Sequence, residues 1–157
     1  MLETYRREYA EFNSQWGREY YLVLSGQKET LELMRIYERY SDLFTQDAIT
    51  RLQQLLEEAS ADFETTRVSI NHLLNFATDQ FLENAAKVLT EEISRYEAQS
   101  SIEWQGQVIH FQEAFVTIKT EKDRQVRRAL YQKRGELIEA ANHLRAERLN
   151  KIHTAAR

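Results

Sequence analysis

The near absence of helix-breaking residues is the feature that most restricts the fold of this chain. Its 157 residues include no proline, and its four glycines are Gly17, Gly26, Gly106 and Gly135. Because proline and glycine interrupt helices most strongly, helical segments can continue here for many turns. The chain is also rich in Glu, Leu, Arg, Gln and Ala, which favour helix. We therefore predict an all-α fold, a multi-helix antiparallel bundle in one domain spanning residues 1–157.

The last quarter of the chain predicts one long amphipathic helix, from about residue 120 to residue 156. Its apolar residues recur near the 3.6-residue helical period, with basic residues between them, and Thr120 is the expected N-cap. A helix of this length would extend about 55 Å, which exceeds the width of a small domain. We expect the apolar residues Leu144, Leu149 and Ile152 in its second half to face a missing domain or a second copy of the chain.

Charge is distributed unevenly between the two parts of the chain. Residues 119–157 contain 11 Lys/Arg and 5 Asp/Glu, whereas residues 1–118 contain 10 Lys/Arg and 20 Asp/Glu. The preferred interpretation is that the basic helix lies against an acidic body within one fold. Nucleic-acid binding is the less favoured interpretation, because the net charge of the whole chain is -4.

A mostly aromatic stripe runs along the first predicted helix, about residues 2–24. Its members recur at intervals of three and four residues: Leu2, Tyr5, Tyr9, Phe12, Trp16, Tyr20 and Leu24. Such spacing indicates core packing first of all. Buried Tyr and Trp tips nevertheless need hydrogen-bond partners, so some of these residues can edge a cleft. Candidate residues for binding a peptide or a protein partner are Tyr9, Trp16, Tyr20, Tyr37 and Tyr40.

Three further helical segments follow the first. Ser25-Gly26 is expected to end the first helix, and a second helix is predicted over 27–44. Thr45 is the expected N-cap of a third helix over 46–59. The apolar period continues from Asp62 to Gln99, as one helix or as two with a break at residues 77–80.

The pattern changes from a period of 3.6 to a period of 2 at residues 101–111. This segment predicts a small β-hairpin that turns at Gln105-Gly106, with Ile102 and Trp104 on one face. An isolated hairpin is marginally stable, so it must dock on the helices. Residues 112–119 are predicted to be a connector of mixed character.

No motif of catalysis or cofactor binding occurs in the sequence. His72, His110, His143 and His153 do not form a metal set, because zinc needs three or four convergent ligands and the last helix supplies at most two, for example Glu139 with His143. There is no His-Glu-x-x-His, phosphate loop or nucleophile elbow. We therefore expect no catalytic, cofactor-binding or metal residue in this chain.

The apolar segments of the chain are short, and cysteine is absent. No apolar run approaches the roughly 20 residues that span a bilayer. We therefore do not expect the chain to insert into a membrane. We expect a cytoplasmic location.

Three stretches together resemble a known family. They are residues 18–29 (REYYLVLSGQKE) with the following IYERY at 36–40, residues 89–98 (LTEEISRYEA) leading into the hairpin, and residues 120–131 (TEKDRQVRRALY). They resemble the amino-terminal helical region of the thimet oligopeptidase and oligoendopeptidase F family of zinc metallopeptidases. In that family these helices form one wall of a deep substrate channel, and zinc binds to a His-Glu-x-x-His helix much further along the chain. No catalytic residue is carried over, since this sequence contains no such helix.

Three functions are consistent with this resemblance and with the residues. The first is a non-catalytic helical domain that binds a peptide or a protein. The second is one part of an active zinc metallopeptidase whose His-Glu-x-x-His region is on a missing or separate chain. The third is a structural or oligomerising protein that pairs with a second copy through its long terminal helix.

Overall fold

The computed structural model describes residues 2–59 and 64–157 of the chain. It confirms the predicted all-α class with one small hairpin. A short 3-10 helix at Ser41–Phe44 lies between the second and third α-helices. The other elements, in chain order, are α1 (Leu2–Leu24), α2 (Met34–Arg39), α3 (Gln46–Glu58), α4 (Glu64–Gln99), β1 (Ser101–Trp104), β2 (Gln107–His110), α5 (Phe111–Thr120), α6 (Arg124–Ala140) and α7 (Asn142–Ala155).

The first helix ends where Gly26 predicted it to end. Gly26 has a φ of 73°, a left-handed conformation that glycine adopts without steric cost. Its amide donates to the Val23 carbonyl at 3.1 Å, and the Gln27 amide donates to the Leu22 carbonyl at 2.9 Å. These two bonds form a Schellman motif, which satisfies carbonyls left free at the end of the helix.

The predicted second helix over 27–44 is wrong in its first half. Two backbone amides in this part of the chain, those of Glu32 and Met34, bond to side chains of other helices instead of to carbonyls of a helix of their own. The Glu32 amide donates to Glu19 Oε1 at 2.7 Å, and the Met34 amide donates to Glu91 Oε1 at 2.8 Å. These partners hold the segment in an irregular path, so that only Met34–Arg39 forms an α-helix.

The third and fourth helices follow the sequence more closely. Thr45 is confirmed as the N-cap of α3, since its Oγ1 accepts from the Ala48 amide at 3.1 Å. The apolar run that was predicted as one helix or two forms one helix from Glu64 to Gln99, because α4 continues without interruption through residues 77–80. The start of that run at Asp62 and Phe63 lies outside the described residues.

Helix α4 is the central element of the fold. It packs against α3 in its first part and against α7 in its second part. Different side chains of α4 are buried in its two parts. Leu73 and Ala77 are buried beside α3, and Ala86 and Leu89 are buried in the second part. Because neighbours cover different sides of it, α4 lacks the single continuous apolar stripe of a surface helix.

The predicted hairpin is confirmed, with its turn at Gln105-Gly106. Both turn residues have positive φ, 51° and 79°, as a two-residue hairpin turn requires. Ile102 pairs with Ile109 across the ribbon, and both side chains are buried. The hairpin therefore docks through these two residues, whereas Val108 is exposed.

The segment 112–119, which was predicted as a connector of mixed character, is part of helix α5. Phe111 and Ala114 are buried, and Ile118 packs against the same cluster. Their spacing of three and four residues places them on one helical face. That face lies against the hairpin and α6.

The predicted single helix over 120–156 is also wrong, since α6 and α7 are separated at Ala141. The Ile138 carbonyl accepts the Ala141 amide at 3.2 Å and the Arg145 guanidinium at 2.7 Å. In an uninterrupted helix this carbonyl would instead accept the amide of Asn142, four residues further along. The interruption allows α6 to pack on α5 and the hairpin while α7 packs on α4.

The predicted N-cap at Thr120 is wrong as well. Asp123 begins α6, and its carboxylate accepts from the amides of Gln125 at 2.7 Å and Val126 at 3.3 Å. Thr120 instead ends α5, where its hydroxyl bonds to the Val116 carbonyl at 3.0 Å. A carboxylate at the positive end of a helix is favoured over a hydroxyl by charge.

Most of the buried side chains in residues 2–59 and 64–157 belong to three clusters. Two of them lie between α1, α2, α3 and α4, and both contact Tyr5 and Phe81. The third lies between the hairpin, α5 and α6, and its buried members are Ile102, Ile109, Ala114 and Leu130. No helix among the described residues is both long and apolar enough to cross a membrane.

Part of the predicted pairing between basic and acidic segments is present. Arg145 of α7 contacts Glu97 of α4 at 2.7 Å, and Arg148 contacts Glu83 at 2.5 Å. Of the two helices in the basic segment, α7 is therefore the one that pairs with the acidic part of the chain.

Candidate functional site

A groove of about 720 Å³ lies between the end of α1, the segment that follows it and the second half of α4. We call it the α1–α4 groove. The start of α5 and the end of the hairpin close one end of it. Its lining residues are Tyr20, Val23, Leu24, Gly26, Lys28, Glu29, Thr30, Leu31, Thr90, Ile93, Ser94, Glu97, Ala98, Gln99, His110 and Gln112.

The segment after α1 is held in place by Glu19. This carboxylate is 9% exposed and accepts hydrogen bonds from Lys28 and from the Glu32 amide. Lys28 also contacts Glu32 Oε2 at 3.1 Å. Burial alone would lower the pKa of Lys28, but its hydrogen bonds to the two glutamates raise that pKa overall. Glu19 thus fixes the wall that carries Lys28, Thr30 and Leu31.

The lining combines apolar and polar side chains. The apolar ones are Val23, Leu24, Leu31, Ile93 and Ala98. The side chains of Thr30, Ser94 and Gln99 form no hydrogen bond with another described residue (2–59 and 64–157), so their hydroxyl and amide groups are free for a ligand. Hydroxyl and amide side chains can each donate and accept.

Two other polar lining residues are fixed by α7. Thr90 Oγ1 accepts from Arg148 Nε at 2.9 Å, and Glu97 accepts from Arg145 at 2.7 Å. The α4 wall is therefore held by ion pairs and hydrogen bonds from the helix behind it. A wall supported in this way is preorganised, which lowers the entropy cost of binding.

Tyr20 lines the groove beside Trp16. The centroids of these two rings are 4.2 Å apart. Burial raises the pKa of the Tyr20 hydroxyl, and Glu83 raises it further, while Arg148 opposes both. The hydroxyl therefore stays protonated at neutral pH and can donate a hydrogen bond.

Two other aromatic candidates, Tyr37 and Tyr40, are buried in the core. Tyr37 and Tyr40 are 2% and 6% exposed, so both rings belong to the core. Their hydroxyls bond internally, Tyr37 to Gln80 and Tyr40 to Gln15.

Tyr9 lies further back along α1, away from the residues that line the groove. Its hydroxyl is 2.7 Å from His72 Nε2, and its ring packs edge-on against Phe76 at 4.6 Å between centroids. Of the aromatic candidates, Tyr20 alone lines the groove; Trp16 packs against its ring, and Tyr9 lies apart from both.

The three candidates in α7 lie on the helix that packs against α4. Leu149 is 54% exposed, whereas Leu144 and Ile152 are half-buried. They do not line the α1–α4 groove.

Most lining residues of the groove were not predicted. Leu31 falls inside the helix predicted over 27–44, although the polar run Gln27-Lys-Glu-Thr30 directly after Gly26 is a loop signal. Ile93 and Ser94 carried no signal, because nothing in their local spacing distinguishes a groove from a packed face.

Within residues 2–59 and 64–157, no group of three or more His, Cys, Asp and Glu side chains is arranged to hold a metal ion. The arrangement at the groove offers hydrogen bonding and apolar contact.

Comparison with protein-family models, with curated proteins and with solved structures finds no match.

Proposed function

We propose that this chain is a non-catalytic helical domain that binds an extended peptide segment in the α1–α4 groove. The observation that carries the proposal is the combination, in one groove, of an apolar surface with polar side chains that are free of internal partners. A volume of about 720 Å³ is in the range of pockets that enclose most of a bound ligand.

A peptide fits this chemistry better than a compact apolar molecule does. Each peptide unit carries one donor and one acceptor, and these need partners when water is displaced. Thr30, Ser94 and Gln99 supply groups that both donate and accept. Apolar side chains of the peptide would meanwhile contact Leu24, which is exposed, and Ile93.

The resemblance to the zinc oligopeptidases supports the same proposal. The corresponding helices of that family form one wall of a substrate channel. A helical domain related to such a wall would retain a surface for peptides and would cleave none by itself.

The binding test uses a fluorescent pool of octapeptides with blocked ends, in which Leu, Val or Phe alternates with Ser or Gln. Ser94→Trp places a large side chain in the groove, and we expect it to weaken binding at least about tenfold, or about 1.4 kcal/mol. Fluorescence anisotropy measures the affinity, and circular dichroism checks that the variant is folded.

The matched control is Ala85→Trp, which introduces the same side chain at an exposed position of the same helix. It should bind the pool as the unaltered protein does. Equal affinity of Ser94→Trp and Ala85→Trp would exclude the groove as the binding site.

A further inference from the structure

A second surface, formed by α5 and α6, combines cations with exposed rings. We define the α5–α6 face as Phe115, Lys119, Arg127, Tyr131 and Arg134. The Arg134 guanidinium lies 4.0 Å from the centroid of the buried Phe111 ring and 5.1 Å from that of Phe115. Lys119 Nζ lies 4.3 Å from the Phe115 centroid.

The residues on α6 share one side of the helix. Arg127, Tyr131 and Arg134 are spaced by four and three residues, which places their side chains next to one another. Tyr131 is 65% exposed, and Phe115 is 39% exposed. Exposed rings between cations can contact a ligand that has both charge and apolar groups.

The cations of this face have no carboxylate partner in the described part of the chain. None of the ion pairs within 4.0 Å among residues 2–59 and 64–157 includes Lys119, Arg127 or Arg134. Arg127 donates instead to the carbonyls of Glu121 and Lys122, both at 2.8 Å. The basic α7, in contrast, is paired with α4.

The two acidic residues within the segment 119–134 accept hydrogen bonds from backbone amides. Glu121 accepts from the Asp123 amide at 2.9 Å, and Asp123 caps α6. Residues 119–134 contain seven Lys/Arg against these two acids. The positive charge of the face is therefore uncompensated locally.

Arg134 supplies a more specific observation. Its Nε is buried and has no hydrogen-bond partner among the described residues. A buried N–H without an acceptor is costly, and a guanidinium whose plane stacks on a ring keeps its edge for a carboxylate. The terminal nitrogens of Arg134 are not among these buried, unpartnered atoms, so a carboxylate of a bound partner would pair with the guanidinium through them.

We propose that the α5–α6 face binds an acidic segment of a partner protein, with carboxylates that contact Lys119, Arg127 and Arg134 and apolar side chains that contact Phe115 and Tyr131. Charge complementarity selects this occupant. A long nucleic acid is disfavoured, because residues 1–118 carry 20 Asp/Glu against 10 Lys/Arg and would repel an extended polyanion. The face shares no residue with the α1–α4 groove.

The test uses a labelled twelve-residue peptide in which Glu alternates with Leu or Phe, and anisotropy as the readout. The double variant Lys119→Glu with Tyr131→Ala should bind it at least about tenfold more weakly. Both side chains are exposed, so folding should be preserved. A peptide with Gln in place of every Glu should bind the unaltered protein at least about tenfold more weakly as well.

The matched control is Arg95→Glu with Tyr21→Ala, which alters one exposed cation and one exposed tyrosine elsewhere. It should bind as the unaltered protein does. Equal losses in the two double variants, or full binding of the Gln peptide, would overturn the proposal. Tighter binding of a twelve-nucleotide thymidine strand than of the acidic peptide would overturn the choice of a protein partner.

Discussion

Glu19 connects local structure to the candidate binding surface. It lies on α1, is almost completely buried, and accepts from Lys28 and from the Glu32 amide. Both donors belong to the segment that forms one wall of the groove. Removing the carboxylate would leave the Glu32 amide without its acceptor and Lys28 with Glu32 as its remaining carboxylate contact.

Glu19→Ala should therefore lower the free energy of unfolding by about 1–3 kcal/mol, the usual cost of leaving such donors unsatisfied. Glu3→Ala is the control, since Glu3 pairs with Arg6 at 2.8 Å but is 85% exposed. Its effect should stay below about 0.5 kcal/mol. Urea unfolding measures both, and similar effects of the two substitutions would argue against an anchoring role for Glu19.

Buried hydroxyls predict the response to alkaline pH. Burial raises the pKa of Tyr5, of Tyr20 and of Tyr37, and Glu83 adds to the increase for the last two. A folded pKa above the unfolded value of about 10 means that stability is full below that pH and is lost as pH rises through the folded values. Lys28, whose pKa is also raised, acts in the same direction.

We expect three of the eight tyrosines to ionise late, together with unfolding above about pH 10. Absorbance at 295 nm follows tyrosinate, and circular dichroism follows the helices. Ionisation of Tyr5, Tyr20 and Tyr37 at about pH 10, in a protein that stays helical, would contradict the burial of these hydroxyls.

At the scale of elements, caps and periodicity explain which boundaries the sequence could predict. The first helix and the hairpin were predictable, because Gly26 and Gly106 occupy positions where positive φ is required. The break at Ala141 was not, because a 3.6-residue pattern continues on both sides of it. Only packing against two different neighbours, the hairpin side and α4, decides where that helix is interrupted.

The start of α6 gives a direct test at this scale. Asp123→Ala should destabilise the protein by about 0.5–2 kcal/mol, because two amides at the helix start lose their acceptor. Thr120→Ala should change stability by less than about 0.5 kcal/mol, since its exposed hydroxyl only bonds within α5. Thermal unfolding measures the stability of the two variants. A larger loss of stability in Thr120→Ala than in Asp123→Ala would contradict the assignment of Asp123 as the N-cap of α6.

At the scale of the whole molecule, the groove depends on elements that are distant in sequence. Leu31 and Ile93 come together at this groove, because the segment after α1 and the second half of α4 both line it. Spacing within a segment contains no information about such a meeting, which is why Tyr20 alone among the predicted site residues lines the groove. The charge pattern was more informative, since the pairing of α7 with α4 matches the predicted contact between basic and acidic segments.

The resemblance to oligopeptidases stays a prediction, and the binding of a peptide in the α1–α4 groove is the central claim that follows from it and from the geometry. Chemical-shift mapping tests this claim most directly. The ¹⁵N-labelled protein is titrated with the octapeptide that binds best from the pool. We expect shifts at Leu31, Ile93, Ser94 and Gln99, with residues of α6 unchanged. Saturable binding that shifts other residues and leaves the groove unchanged would contradict it.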